Sequence, residues 1–231
     1  IVLAVGCWAL FGKRGGVTLL HGGIALLMFG ELYTAQYVGE AQMRITEGQT
    51  ISYAEDIRSF ELAVTDVSDP KQDVVTVIPG VIVDQMAPKK KLVDGKEAVV
   101  EEGVTINDDA LPFAIRIVEL MPNATTRRAQ PGEATLANSG LGQLRTATSV
   151  PVNTGVSTEQ TPDAPAALVE LFKKDKDGEA TDSLGTYLLW PFLGSEVVEV
   201  DGKPYNIALR YTRVPKDYSI TLKKFEFTTY E

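Results

Sequence analysis

The pattern of apolar and polar residues divides the chain into a short N-terminal part and a long remainder. Residues 17–35, VTLLHGGIALLMFGELYTA, are apolar apart from His21 and Glu31. As an α-helix these 19 residues would rise about 28 Å, close to the thickness of a bilayer's hydrocarbon core. The pattern therefore predicts a transmembrane helix, followed by a charge-rich domain that folds in water.

A second apolar run, IVLAVGCWALFG, occupies residues 1–12. It would rise only about 18 Å as a helix, too short to span a bilayer, and no basic residues precede it as they would in a signal peptide. We interpret it as the end of a preceding transmembrane helix, so the sequence is expected to be a piece of a longer chain. The positive-inside rule places the basic loop at residues 13–16 in the cytoplasm and the large domain on the extracytoplasmic side.

From residue 42 onward the apolar positions follow the period of β-strands. Alternating or β-branched runs predict strands at 60–67, 74–78, 81–83, 111–121, 167–173, 196–201, 205–211 and 218–230. Asp94-Gly95 and Asp201-Gly202 are typical of tight hairpin turns, and Pro79-Gly80 predicts another turn. We therefore expect a β-rich, sandwich-like domain over residues 38–231.

Residues 124–165 interrupt this pattern. They are rich in Thr, Ala, Gly, Ser, Asn and Pro and poor in aromatic residues, which predicts a flexible or functional insertion. A glycosylation sequon, Asn123-Ala124-Thr125, stands at its start, although such triplets are frequent.

Composition narrows the classes of function. The net charge of −9 argues against a nucleic-acid partner and against a polybasic membrane patch. The single cysteine, Cys7, lies in the first apolar run, so the soluble part has neither a disulfide framework nor a cysteine metal site. It also lacks histidine, a P-loop and a nucleophile motif, which disfavours a hydrolase and predicts no independent catalytic site.

His21 is the only histidine in the chain and the principal candidate for chemistry. Imidazole is a natural axial ligand for haem iron, and Gly22-Gly23 beside it would admit a flat ligand or a neighbouring helix. The alternative is a hydrogen bond between packed helices. Glu31 lies ten residues on, roughly 15 Å along the helix, so the two side chains are not expected to share a site.

In the β-rich region, an aromatic cluster at Tyr187, Trp190 and Phe192 is more typical of a core than of a binding surface. The paired acids at residues 101–102 and 108–109 are interpreted as solvated turns.

Several segments taken in order resemble the ResB family of cytochrome c biogenesis (system II) proteins, particularly its planctomycete-type branch. They are LLHGGIALLMFGELYT, QMRITEGQTISY, LPFAIRIVELMPN, LGTYLL and VDGKPYNIALRYTRVPKDYSITLKKFEF. Together they cover about half of the chain, and their order carries the resemblance more than any one of them.

The resemblance implies a protein of the bacterial cytoplasmic membrane with a β-rich extracytoplasmic domain inserted before a final helix, which this sequence does not contain. Family members act with a haem-handling membrane partner to deliver haem outward and to present apocytochrome c for covalent attachment. By position, His21 matches the family's membrane histidine associated with haem. The alternative is a membrane-anchored interaction or envelope-assembly module without haem.

Overall fold

The computed structural model of the protein describes residues 15–37, 41–93, 96–153 and 162–227, together with four isolated positions in the first fourteen residues. The chain divides into two units, Ile1–Ala41 and Gln42–Glu231. Of the predicted end of an earlier helix at residues 1–12, only residues 2, 5, 6 and 9 are described, and these four are helical.

The N-terminal unit contains helix α1, Gly15–Tyr37, which covers the whole predicted span. Leu, Ala and Met favour the helical conformation, and within it Gly15–Thr34 has a mean hydropathy of 1.4 and the length to cross a membrane. Large apolar side chains are exposed along it, namely those of Leu19, Leu20, Ile24, Leu26, Leu27, Met28, Phe29 and Leu32. A helix with such a surface is stable in lipid or against another apolar surface, because exposing it to water is unfavourable.

The second unit is built on two antiparallel four-stranded sheets. The first sheet has the order β11-β12-β1-β2, formed by β1 (Thr50–Asp66), β2 (Val74–Pro79), β11 (Glu196–Val200) and β12 (Lys203–Thr221). The second has the order β10-β9-β6-β5, formed by β5 (Thr105–Ile106), β6 (Ala114–Met121), β9 (Ala166–Lys174) and β10 (Ala180–Leu189). Two hairpins complete the unit: β3 (Lys89–Val93) with β4 (Lys96–Glu101), and β7 (Ala124–Arg128) with β8 (Arg145–Ser149).

One core lies between the two sheets. Alternate residues of the first sheet, Leu62, Ile207 and Leu209 among them, share a buried cluster with Phe113 and Val169. Because side chains alternate between the two faces of a strand, each sheet buries one set against the other. The predicted mainly-β fold with an N-terminal apolar helix is confirmed, and the two sheets enclose their core as a sandwich does.

The turn at Asp201-Gly202 lies where it was predicted. Both residues have positive φ, 51° and 76°, as a two-residue type I′ hairpin loop requires. The other hairpin pairs Val93 with Lys96, and its two turn residues lie outside the described residues.

The strand predicted at 81–83 is wrong, because these residues belong to helix α2, Gly80–Met86. Gly80 and Val83 are the buried residues of this helix, at a helical spacing of three. Gly80 also lies against β1, since a β-carbon there would be 2.4 Å from the carbonyl oxygen of Phe60. The chain therefore turns into a helix after Pro79, where a short apolar run alone suggested a strand.

The separate strand predicted at 218–230 is also corrected. Residues 218–221 are the end of β12, which runs unbroken for 19 residues from Lys203. Register shifts in its pairing with β1, between Ile51 and Tyr53 and between Asp56 and Phe60, allow one strand to continue where the sequence pattern breaks. Residues 222–227 are not in a strand, and 228–230 lie outside the described residues.

Within the predicted insertion at 124–165, residues 124–153 contain regular secondary structure that the sequence pattern did not predict. Strands β7 and β8 form a hairpin, and a 3₁₀ helix, Gly140–Leu144, precedes β8. A second core joins this segment to the second sheet and contains Met121, Ala124, Ala137, Ala166, Leu168 and Leu188. The first four residues of β9, at 166–169, are therefore buried on both faces of the sheet, which accounts for their unbroken apolar sequence. Residues 154–161 lie outside the described residues.

Asn123 fastens the base of this segment. Its side-chain amide donates to the carbonyl oxygen of Pro151 at 2.9 Å and accepts from the backbone N–H of Ala164 at 3.0 Å. The residue is only 8% exposed. In the folded chain the side chain of Asn123 therefore links residues 151 and 164 through hydrogen bonds, and its amide is shielded from glycosylation.

Candidate functional site

His21 lies in the second turn of α1. Its Nδ1 is 2.8 Å from the carbonyl oxygen of Val17, one turn earlier. Because a carbonyl oxygen can only accept, Nδ1 carries the proton of this bond. In the neutral ring the lone pair is then on Nε2. A protein-bound imidazole takes this tautomer when its Nε2 atom is the metal ligand.

Gly22 and Gly23 adjoin His21 in the sequence, but they are not the residues that share its face of the helix. On a helix, the neighbours of His21 lie three or four positions away, at Val17, Thr18, Ile24 and Ala25. Gly22 and Gly23 point away from this face, although neither would bring a β-carbon within 4 Å of another heavy atom. The helix face that carries His21 is therefore mainly apolar, with Thr18 as its polar residue and Ala25 as its smallest.

These residues fit one axial position of a haem, since a single imidazole nitrogen with a fixed tautomer sits on an apolar surface. Glu31 is exposed and lies roughly 15 Å further along the helix axis than His21, so it contributes nothing to that position. In the described part of the chain, no three His, Cys, Asp or Glu side chains are grouped so as to hold a metal ion.

The predicted aromatic cluster divides between core and surface. Tyr187 is in the sandwich core, whereas Phe192 is 50% exposed. The ring of Phe192 packs edge-on against Trp190, with 4.8 Å between centroids. The guanidinium of Arg44 lies 5.3 Å from the Phe192 centroid and 5.4 Å from that of Tyr211, within the range of cation–π attraction. These contacts thus hold Arg44, near the start of the domain, against Tyr211 in strand β12 of the first sheet.

A cleft of about 240 Å³ opens at one end of the sandwich. Its walls include Val64, Val74 and Tyr205, and Asp66 and Asp109 contribute carboxylates. Hydrogen bonds from the side chain and backbone of Ser68 lower the pKa of Asp66, which keeps it ionised. The cleft offers apolar walls and acceptor oxygens, without the histidine or cysteine that nucleophilic chemistry commonly uses.

The paired acids at 108–109 are turn residues, as predicted. Both are exposed, and the side chain of Asp108 accepts the backbone N–H of Ala110. Its carbonyl oxygen accepts a bond from Lys174. Glu101 instead ends β4, where it pairs with Lys89 at 2.9 Å.

Glu196 is a buried carboxylate that no sequence signal identified. It is 5% exposed, and it accepts the backbone N–H of Leu141 at 2.8 Å and that of Gly142. It therefore caps the 3₁₀ helix and ties the 124–153 segment to β11. Gly140 must be glycine here, because its φ is +64° and a β-carbon would lie 2.3 Å from the carboxylate.

Burial raises the pKa of Glu196 in the folded state. Its contribution to stability is therefore complete below the pKa of an unfolded glutamate and is lost as pH rises through the raised folded value. We expect Glu196→Gln to become more stable relative to the original protein between pH 4 and pH 7, measured as the difference in free energy of unfolding by urea. We expect Glu196→Ala to lose about 1–3 kcal/mol, because two backbone N–H groups lose their acceptor.

Glu199→Gln is the matched control, since Glu199 is exposed on the same strand. A relative stability of Glu196→Gln that does not change with pH, or that falls as pH rises, would contradict this account.

No protein-family model matches the chain, and a search of curated proteins gives no match. The structure thus defines a class: a mainly-β domain that follows an apolar helix long enough to cross a membrane.

Proposed function

We propose that the chain is a membrane-anchored, ResB-like component of a cytochrome c maturation complex. In this function α1 is embedded in the bacterial cytoplasmic membrane and holds haem in transit through His21. Haem is the cargo, passed on for covalent attachment to apocytochrome c. The chain acts as an accessory subunit beside a haem-handling membrane partner.

The observation that carries the proposal is the position of His21 and the hydrogen bond of its Nδ1 atom. The chain's single histidine sits within its apolar helix, and the bond from Nδ1 to the Val17 carbonyl leaves the Nε2 lone pair for iron. The Val17 carbonyl satisfies only Nδ1, and leaving the second nitrogen of the ring without a partner in an apolar helix is unfavourable, which favours a ligand at Nε2.

The β-sandwich is the docking domain in this proposal. The basic loop before α1 favours an extracytoplasmic position for it, where apocytochrome c receives haem. Its two cores make it a rigid platform, and its acidic balance suits partners with basic surfaces.

We expect His21→Ala to weaken haem binding by at least about tenfold, because the axial nitrogen is lost. The test is titration of the full chain in lipid nanodiscs with haem, followed by the Soret absorbance. Leu27→Ala is the matched control, since it truncates an exposed side chain on another side of the helix and should bind haem as the original does.

Rescue makes this test specific to the ring. Free imidazole should restore the Soret band in His21→Gly, because it can occupy the space of the deleted side chain. Equal haem retention and identical spectra in the original protein and His21→Ala would remove His21 from the mechanism.

The apolar edge of the first sheet favours a second candidate function, an interaction or envelope-assembly module without haem. Strand β2 is an edge strand, and Val75 and Val77 on it are 43% and 41% exposed. An apolar edge strand offers both unpaired backbone groups and side chains to an added strand of a partner protein.

The two functions differ in living cells. We expect cells that lack the protein, or that carry His21→Ala, to lose covalent haem from their c-type cytochromes, measured by haem staining of gels. Val77→Lys should leave that staining unchanged, because it alters only the exposed edge. Normal staining in the absence of the protein, with loss of cross-linking to a partner in Val77→Lys, would support the second candidate and contradict the first.

A further inference from the structure

The far end of the β1–β12 pairing forms a two-stranded ribbon. Strands β2 and β11 pair only with the other half of these strands, between residues 61–66 and 203–207. The ribbon continues past both strands, since the N–H of Gly48 donates to the carbonyl of Leu222 and the N–H of Leu222 donates to that of Gln49. We call residues 46–50 and 218–227 the ribbon end.

Large apolar side chains are concentrated at the ribbon end. Tyr218 and Ile220 are 56% and 42% exposed, and Phe225 and Phe227 are 66% and 79% exposed. The backbone N–H of Phe225 bonds to the side chain of Glu47, which fixes this residue beside the start of the ribbon. Phenylalanine and isoleucine are among the residues most often buried, so four exposed large apolar side chains within ten residues indicate a contact surface.

The polar residues of the ribbon end indicate the kind of contact. Lys223 and Lys224 are exposed between the apolar side chains, and Lys224 pairs with Glu226. Aromatic rings next to long cationic side chains are typical of the membrane–water interface, where rings lie at headgroup level and ammonium groups reach the phosphates.

The sequence supplies a reason for choosing lipid over protein as the occupant. Gln42 follows Tyr37, the last residue of α1, by five residues, and it pairs with Glu55 of β1. Thr50 at the ribbon end lies five residues from Glu55 along that strand. A helix inserted in a bilayer would tether the ribbon end by this short linker and hold it at a high effective concentration beside the lipid surface. Even a weak apolar contact is then occupied most of the time.

We infer that the ribbon end inserts its aromatic side chains into the interfacial layer of the membrane in which α1 is anchored. The inference rests on the membrane anchoring in the proposed function and extends it. Inserted rings would fix the orientation of the β-sandwich relative to the lipid surface.

The test places an environment-sensitive fluorophore on single cysteines in a Cys7→Ser background of the full chain, in nanodiscs with spin-labelled lipids. Ser219→Cys reports on the ribbon end, Leu26→Cys on the helix, and Asp177→Cys on an exposed turn of the sandwich. We expect lipid quenching at the first two positions and none at the third.

Substitutions test which side chains bring residue 219 close to the lipid. Phe225→Ser with Phe227→Ser should abolish most of the quenching at residue 219 while leaving it unchanged at residue 26. Val75→Ser with Val77→Ser, a matched loss of exposed apolar residues elsewhere, should change neither.

The outcomes separate the two claims. Quenching at residue 26 without quenching at 219 would overturn the inference while membrane anchoring stands. Absence of quenching at both would overturn the anchoring as well. Equal quenching at 219 and 177 would contradict a specific role for the ribbon end.

Discussion

The antiparallel pairing of β1 with β12 is the constraint on which the β-sandwich depends. It joins Thr50 to Thr221 and Asp66 to Tyr205, residues far apart in the sequence, and both flanking strands of the first sheet pair only with these two. A largely buried ion pair between Glu61 and Arg210, 2.8 Å apart, spans the same two strands and favours this register over a slipped one. The pairing also brings the two ends of the domain together.

Local and tertiary interactions each determine part of the fold, as one turn in the first sheet and one segment packed on the second sheet show. The hairpin at Asp201-Gly202 was predictable because the required positive φ angles are a property of the turn residues themselves. The order of the segment after Asn123 was not, because its small residues acquire a core only against Leu168 and Leu188 on the second sheet. A weakly apolar segment is thus ordered by a surface that the sequence pattern does not reveal.

The candidate sites likewise divide into those that local sequence predicts and those that only tertiary contacts create. The position of His21 and its bond to Val17 follow from a helix alone, since the two residues are four apart. The role of Glu196 does not, because the backbone groups that it caps belong to Leu141 and its neighbour, 55 residues earlier. Val83 is a third case: a three-residue apolar run fits a strand or a helix, and packing decides for the helix.

The central claim is that the Nε2 atom of His21 binds haem iron, and the single histidine makes this directly measurable. Pulsed electron paramagnetic resonance of ferric haem on the full chain, made once with ordinary and once with ¹⁵N-labelled histidine, reports the nitrogen bound to iron. The account predicts that labelling changes the hyperfine coupling of an axial nitrogen. Spectra that are identical with and without the label would contradict it.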